Sequence, residues 1–380
     1  MRREKRTPRP GWQQRVESLG FDFHTADTGP YWDESACYVF SLLQIDELER
    51  ASSELHARCL EAAQHVIDKR RYTELGIPID AARLIEQSWE AEPPSLYGRF
   101  DLSWTGVGPP KLLEYNADTP TGLLEAAVVQ WDWLEQEEPQ GDQYNSLHER
   151  LIAGWRELKP YLRGGLVHFA ALEAPEDLGT VTYLQDTAEQ AGLQTRFLPV
   201  SAIGWSTGLG TFVDQQDTPI ESCFKLYPWE WMLADRFGGR TESAPTLWIE
   251  PAWKLLLSSK GILAILWELF PGHPNLLEAH LEPGKLKAFA KKPLLAREGA
   301  NVRLVLDGEP FAEGPDQKYG TEGFVEQALA PPSTFDGRWP VLGCWMVQGE
   351  PAGLGVREGD GPITTNTSRF VPHRIAGAVR

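Results

Sequence analysis

Cysteine is scarce in this chain, and its four residues, Cys37, Cys59, Cys223 and Cys344, stand far apart. No CxxC or other close pair occurs, which disfavours a disulfide framework and a zinc site. Buried thiols in a reducing cytosol are the simplest account, and a cytoplasmic protein is expected. Apolar runs are short. None reaches the roughly 18 residues that a membrane span needs, and no apolar core of a signal peptide follows the basic start Met1–Arg6. Positive charge is also lacking: 36 Lys and Arg stand against 54 Asp and Glu, a net charge of −18. Such a balance argues against nucleic acid and anionic membranes as partners. It suits a cationic small substrate, and equally an ordinary soluble surface. The motifs GxGxxG, GxxxxGK[ST] and HxxxH are absent, so classical dinucleotide, P-loop and zinc-protease chemistry have no support.

What is present is a globular composition, with 42% hydrophobic residues and 15 Trp among 380. The length allows two or three modules. Residues 1–10 read as a flexible basic tail. Ile45, Leu48, Leu55, Cys59, Ala62 and Val66 recur on one face, which predicts a helix from Ile45 to about Arg70. A second helix is expected over Asp80–Glu90, stopped by Pro93-Pro94. Leu96–Trp104 and Lys111–Tyr115 alternate like strands around a Gly- and Pro-rich turn, a β-hairpin. Helices are expected over 121–135 and 142–158. Leu166–Leu172, Pro175–Gly192 and Thr195–Val200 then read as a βαβ unit with a small parallel sheet. His168, inside that apolar strand, reads as a satisfied core residue. Beyond residue 220, short strands surround one helical stretch from Trp253 to Phe270. The expected divisions are 11–160, with helices and hairpin, 161–240, the βαβ module, and 241–380, all packed as one body of mixed α+β and α/β character.

Three constellations carry chemistry. Arg99 and Asp101 share one face of the first hairpin strand, and Glu114 and Asn116 share a face of the second. Two carboxylates and an amide form a hard-oxygen set that suits magnesium. Arg99 would face phosphate or carboxylate oxygens. Lys254 and Lys292 come with the turn Arg297–Asn301, whose glycine lets backbone amides approach phosphates. Arg357 follows a Gly-alternating strand, where its guanidinium would offset charge on a transferring phosphoryl group. Each has a plainer alternative: exposed hairpin ion pairs, a solvated lysine, or an arginine on a β-edge.

Taken in order, Gly98–Asp101, Glu114–Thr119, Phe224–Glu230, Glu250–Lys254, Phe270–Leu276, Lys292-Pro293 with Arg297–Val302, and Ser368–His373 resemble the synthetase domain of the glutathionylspermidine synthase family. The resemblance runs from about Arg15 to His373. It implies an ATP-grasp fold with a pre-ATP-grasp-like βαβ module. It also implies ATP and two magnesium ions as cofactors, the ions held by Asp101, Glu114 and Asn116 with Glu114 bridging. By the same match, Lys254 and Lys292 hold the phosphates together with Arg99, Glu298 and Gly299 cover them, and Gln327, Ala328, Leu329 and Ala330 face adenine. Arg357 matches the arginine at the transferring phosphoryl group. Thr119 and Thr121 fall at the peptide substrate, with Thr in place of the family's Ser, and Glu176 or Asp177 near the amine.

The implied reaction is amide formation through an acyl phosphate, joining a peptide or other carboxylate to an amine such as a polyamine. The implied molecule is a stand-alone synthetase, monomer or homodimer. Bifunctional members carry an N-terminal cysteine amidase domain for which about 90 residues ahead of Arg99 are too few. Cys37 and Cys59 are therefore not read as catalytic. A nucleotide-binding regulatory protein and a small-molecule phosphotransferase on the same fold stay open as rivals.

Overall fold

The structure is a computed structural model that describes residues 1–26, 29–331 and 333–377. Helices and sheets alternate in a mixed α/β arrangement built on three larger sheets. A four-stranded parallel sheet has the order Leu247–Ile249, Ser222–Leu226, Leu166–Ala171, Gln194–Pro199. Helix Pro175–Gln190 makes the crossover of the expected βαβ unit. The strand Leu247–Ile249 belongs to this sheet, so the expected boundary at residue 240 falls inside it.

A five-stranded antiparallel sheet places the hairpin Tyr97–Ser103/Lys111–Asn116 beside Trp339–Val347, Glu350–Gly359 and Arg369–Val371. The hairpin was expected to belong with residues 11–160. Its hydrogen bonds instead join it to strands from the other end of the chain. The second five-stranded sheet joins Ala279–His280, Phe324–Ala328, Ala288–Pro293, Arg303–Leu306 and Glu309–Glu313.

The helix Leu42–Lys69 has 28 residues. Ser41 and Gln44 start it by capping each other reciprocally, and Arg70 ends it in the left-handed conformation. Its buried stripe of Ile45, Leu48, Leu55, Cys59, Ala62 and Val66 is the face read from periodicity.

Two expectations need correction. Arg2–Lys5 is not a free tail but a strand antiparallel to Ala36–Phe40. Arg3 holds it, donating at 2.9 and 2.8 Å to the buried Glu358 carboxylate, which also accepts from Tyr38 Oη at 2.7 Å. The helical stretch 253–270 is not continuous: Leu255–Ser258 and Ile262–Leu269 are separate helices. Between them Lys260 N donates to Leu294 O at 2.9 Å. Gly261 sits so close to the Leu75 backbone that an added Cβ would meet Leu75 Cα at 3.0 Å. His168 is fully buried beside Asp214 (3.3 Å).

Candidate active site

The hairpin alternates. Phe100 and Leu102 go to the core, where Phe100 stacks on Tyr115 at 3.9 Å between ring centroids. Arg99, Asp101 and Ser103 therefore take the other face. Asp101 pairs across the strands with Glu114, and Arg99 with Asn116. Asn116 Nδ2 lies 3.1 Å from Asp101 Oδ2 and 3.3 Å from Glu114 Oε1, so the three expected metal ligands converge.

Arg99 grips both oxygens of Asp101 at 2.6 and 3.0 Å, donates to Thr121 O at 2.5 Å, and lies 5.5 Å over the Trp345 ring. Gly343 stands opposite Asp101 on the neighbouring strand. A Cβ there would meet Arg99 Cδ at 2.9 Å, so this glycine makes room for the arginine stem.

Two lysines face this carboxylate cluster, and one of them is not the residue expected. Lys292, on strand Ala288–Pro293, donates to Leu113 O at 2.9 Å and Gln327 Oε1 at 2.7 Å. Burial lowers its pKa to about 8, against the pull of Glu114. The second lysine is Lys260, whose Nζ is 2.9 Å from Glu114 Oε2 and 2.7 Å from Ala296 O. Burial works against the Glu114 anion, but Lys260 and Lys292 hold its pKa well below the usual range. Lys254 is elsewhere. It is buried against Glu250 Oε2 at 2.6 Å and Tyr97 O at 2.7 Å, and Glu250 also accepts from the Leu96 and Tyr97 amides. The helix break explains the difference, because the turn at Ser259–Gly261 brings the later lysine to the cleft.

Asp101, Glu114, Lys260 and Lys292 line one wall of a cleft of about 290 Å³. Ala290, Val302 and Leu304 form an apolar wall, and Gln327, Ala328, Leu329 and Ala330 form the end where adenine was expected. The Gln327 side chain itself is spent between Lys292 and Leu112 O. Gly299 borders the cleft in a left-handed conformation (φ 69°), where a Cβ would meet Thr364 O at 2.5 Å. Glu298 is exposed beside it.

A small adjoining cavity is lined by Arg99, Asp101, Thr121, Glu176, Arg357 and Thr364. Arg357 donates to Thr365 O at 2.8 Å and lies 5.7 Å over the Tyr31 ring. Thr119 accepts from Arg297 at 2.7 Å, and Arg297 also lies 5.5 Å over the Trp231 ring. Asp177 lies beside Glu176, and burial, then that neighbour, raises its carboxyl to about 6. Sequence alone gives Arg297 no role beyond its place at the start of the turn Arg297–Asn301. Lys260 and Glu125, considered below, lay outside every constellation read from the sequence, and no local motif marks them.

The cluster holds two carboxylates, the Asn116 amide, two lysines and an arginine. Oxygen donors alone fit magnesium. Among the described residues no group of three or more His, Cys, Asp and Glu could hold a metal, so an ion here would need phosphate oxygens to complete its shell. No helix among these residues is long and apolar enough to cross a membrane.

A family model described as glutathionylspermidine synthase preATP-grasp matches residues 3–376. The chain is 42% identical to a putative acid–amine ligase of Haemophilus influenzae over 96% of its own length and 97% of that protein's. It is 28% identical to trypanothione synthetase of Crithidia fasciculata, over 85% of the chain and 54% of that protein. Against the bifunctional glutathionylspermidine synthetase/amidase of Escherichia coli the identity is 25%, over 86% and 57%. The chain thus spans little more than half of these two longer relatives. In fold it is similar to a glutathione synthetase-like effector of Globodera pallida, with a TM-score of 0.57 over 98% of both chains at 8% identity. With nearly every residue under the family model and relatives that are ligases, the chain belongs to the glutathionylspermidine synthase family.

Proposed function

We propose that this protein is an ATP- and magnesium-dependent carboxylate–amine ligase on an ATP-grasp scaffold, forming an amide through an acyl phosphate. One observation carries the reading: Asp101 and Glu114, bridged by the Asn116 amide, share one wall of the cleft with Lys260 and Lys292. A nucleotide with its adenine toward Gln327–Ala330 would bring its phosphates to the two lysines. Asp101, Glu114 and Asn116 would hold the magnesium ions, whose charge offsets that of the phosphates. The substrate carboxylate takes the phosphoryl group with loss of ADP. Arg99 and Arg357, which line the adjoining cavity, bind and orient the anionic groups. The amine then attacks the acyl carbon, the C–N bond forms, and the C–O bond to phosphate breaks. Positioning and electrostatics supply the rate, and no protein nucleophile is required.

Glu176 in the cavity and Asp177 beside it support a cationic amine as acceptor. Thr119 and Thr121, near Arg297 and Arg99, would meet the peptide or other carboxylate. Calorimetric titration tests the reading. Magnesium nucleotide should bind wild type and fail to bind Asp101→Ala/Glu114→Ala. Equal affinity for both proteins would contradict it.

A further inference from the structure

Glu125 belongs to none of the groups above. It is fully buried. Oε1 accepts from Tyr31 Oη at 2.8 Å, and Oε2 has no partner among the described residues. A buried carboxyl oxygen left this way calls for a reason, a proton or a transfer partner among them. The backbone adds a second signal. Glu125–Val129 is a π-helical turn ahead of the helix Gln130–Glu137, and such turns recur at functional sites.

Three charged or titratable groups face Glu125 from three different elements. Tyr31 comes from the loop after Gly29–Pro30, Arg357 from strand Glu350–Gly359, and Glu176 from the helix Pro175–Gln190. Glu176 and Arg357 line the small cavity beside Asp101, and the Arg357 guanidinium lies over the same Tyr31 ring that bonds Glu125. Glu125 thus stands behind the two residues that border the acceptor side of the site.

We propose that Glu125 and Glu176 act as a carboxylate pair that takes the proton the acceptor amine must lose, Glu176 from the cavity and Glu125 from behind it. The inference rests on the ligase reading. An amine arrives as an ammonium ion with no lone pair. One proton passes to the carboxylate pair, the freed lone pair forms the C–N bond to the acyl carbon, and the electrons of the breaking C–O bond leave with phosphate. The second N–H proton departs with the phosphate. Burial first, and Glu176 second, raise the Glu125 carboxyl to about 7, a match for a base operating near neutrality. Tyr31 and Arg357 act the other way and steady its anion. Glu125 works through Glu176 and is a positioning residue.

The full chain is assayed for amide formation across pH and, separately, for hydroxamate when hydroxylamine, already neutral at pH 7, traps the acyl phosphate. Wild-type amide formation should rise with pH through about 7. Glu125→Gln should lose this rise and about 10²-fold in amide rate, yet trap hydroxamate at nearly the wild-type rate. Glu125→Asp should restore the rise, which guards against a variant that merely misfolds. Tyr31→Phe should move the rise to higher pH. Equal loss with both nucleophiles, or an unmoved pH profile, would overturn the inference. Absence of hydroxamate from wild type would overturn the ligase reading, and this inference with it.

Discussion

Lys254 and Lys260 divide the labour of one segment. Lys254 neutralises the buried Glu250 at 2.6 Å, whereas Lys260 reaches Glu114 at 2.9 Å from the cleft. Removing one partner of a buried pair costs about 3–5 kcal/mol. Lys254→Met should therefore lower the melting temperature and leave nucleotide affinity unchanged. Lys260→Met should keep the fold and weaken nucleotide about 10–100-fold, the worth of one charge-assisted contact. Differential scanning fluorimetry and calorimetric titration would show this, and the reverse pattern would restore Lys254 to the site. Glu125 has a stability signature of its own. Its folded pKa is raised to about 7, above the roughly 4.3 of an unfolded chain. Its contribution to stability is thus full below the unfolded value and is lost as pH rises through the folded one. Glu125→Gln escapes that loss, so its melting temperature should gain on wild type between pH 5 and pH 8. A constant difference would show that Glu125 does not titrate there. At this scale the sequence was legible where chemistry is local: Asp101, Glu114 and Asn116 sit on alternating strands and emerge on one face. Lys260 was not, because only the turn at Ser259–Gly261 turns it into the cleft.

Among the elements, strands carry the rigid part of the site and glycines set its clearances. Gly343 faces Asp101 across the sheet, and a side chain there would press on Arg99 Cδ at 2.9 Å. Gly343→Ala should lower kcat through a displaced Arg99, with little change in nucleotide Kd. Steady-state kinetics beside calorimetry would separate the two. The amphipathic helix Leu42–Lys69 and the βαβ unit were visible in advance, because periodicity and capping are short-range signals. The break in the 253–270 stretch was not. The apolar pattern continues across it, and its cause is tertiary: the Leu75 backbone against Gly261 and the Leu294 carbonyl on Lys260 N.

Across the whole molecule, the two ends of the chain meet. Arg2–Lys5 pairs with Ala36–Phe40, which His373–Ile375 joins from the other side. Arg3 neutralises the buried Glu358, next in sequence to Arg357. Arg3→Ala would leave that carboxylate with only Tyr38 among the described residues, so a loss of about 3–5 kcal/mol is expected in a denaturant titration. A basic start with no apolar pattern reads as a tail, and only the distant carboxylate reveals it as a strand. Residues of the site come from the hairpin, the second sheet and the closing strands, whose convergence was visible only through the family motifs, and from the Ser259–Gly261 turn, which those motifs missed. The most direct test of the account incubates the protein with magnesium, ATP, peptide carboxylic acids and polyamines, and follows phosphate release and product mass together. The account predicts phosphate released only when acid and amine are both present, with a product equal to their summed mass less one water. A phosphorylated product, or phosphate release that ignores the amine, would contradict it.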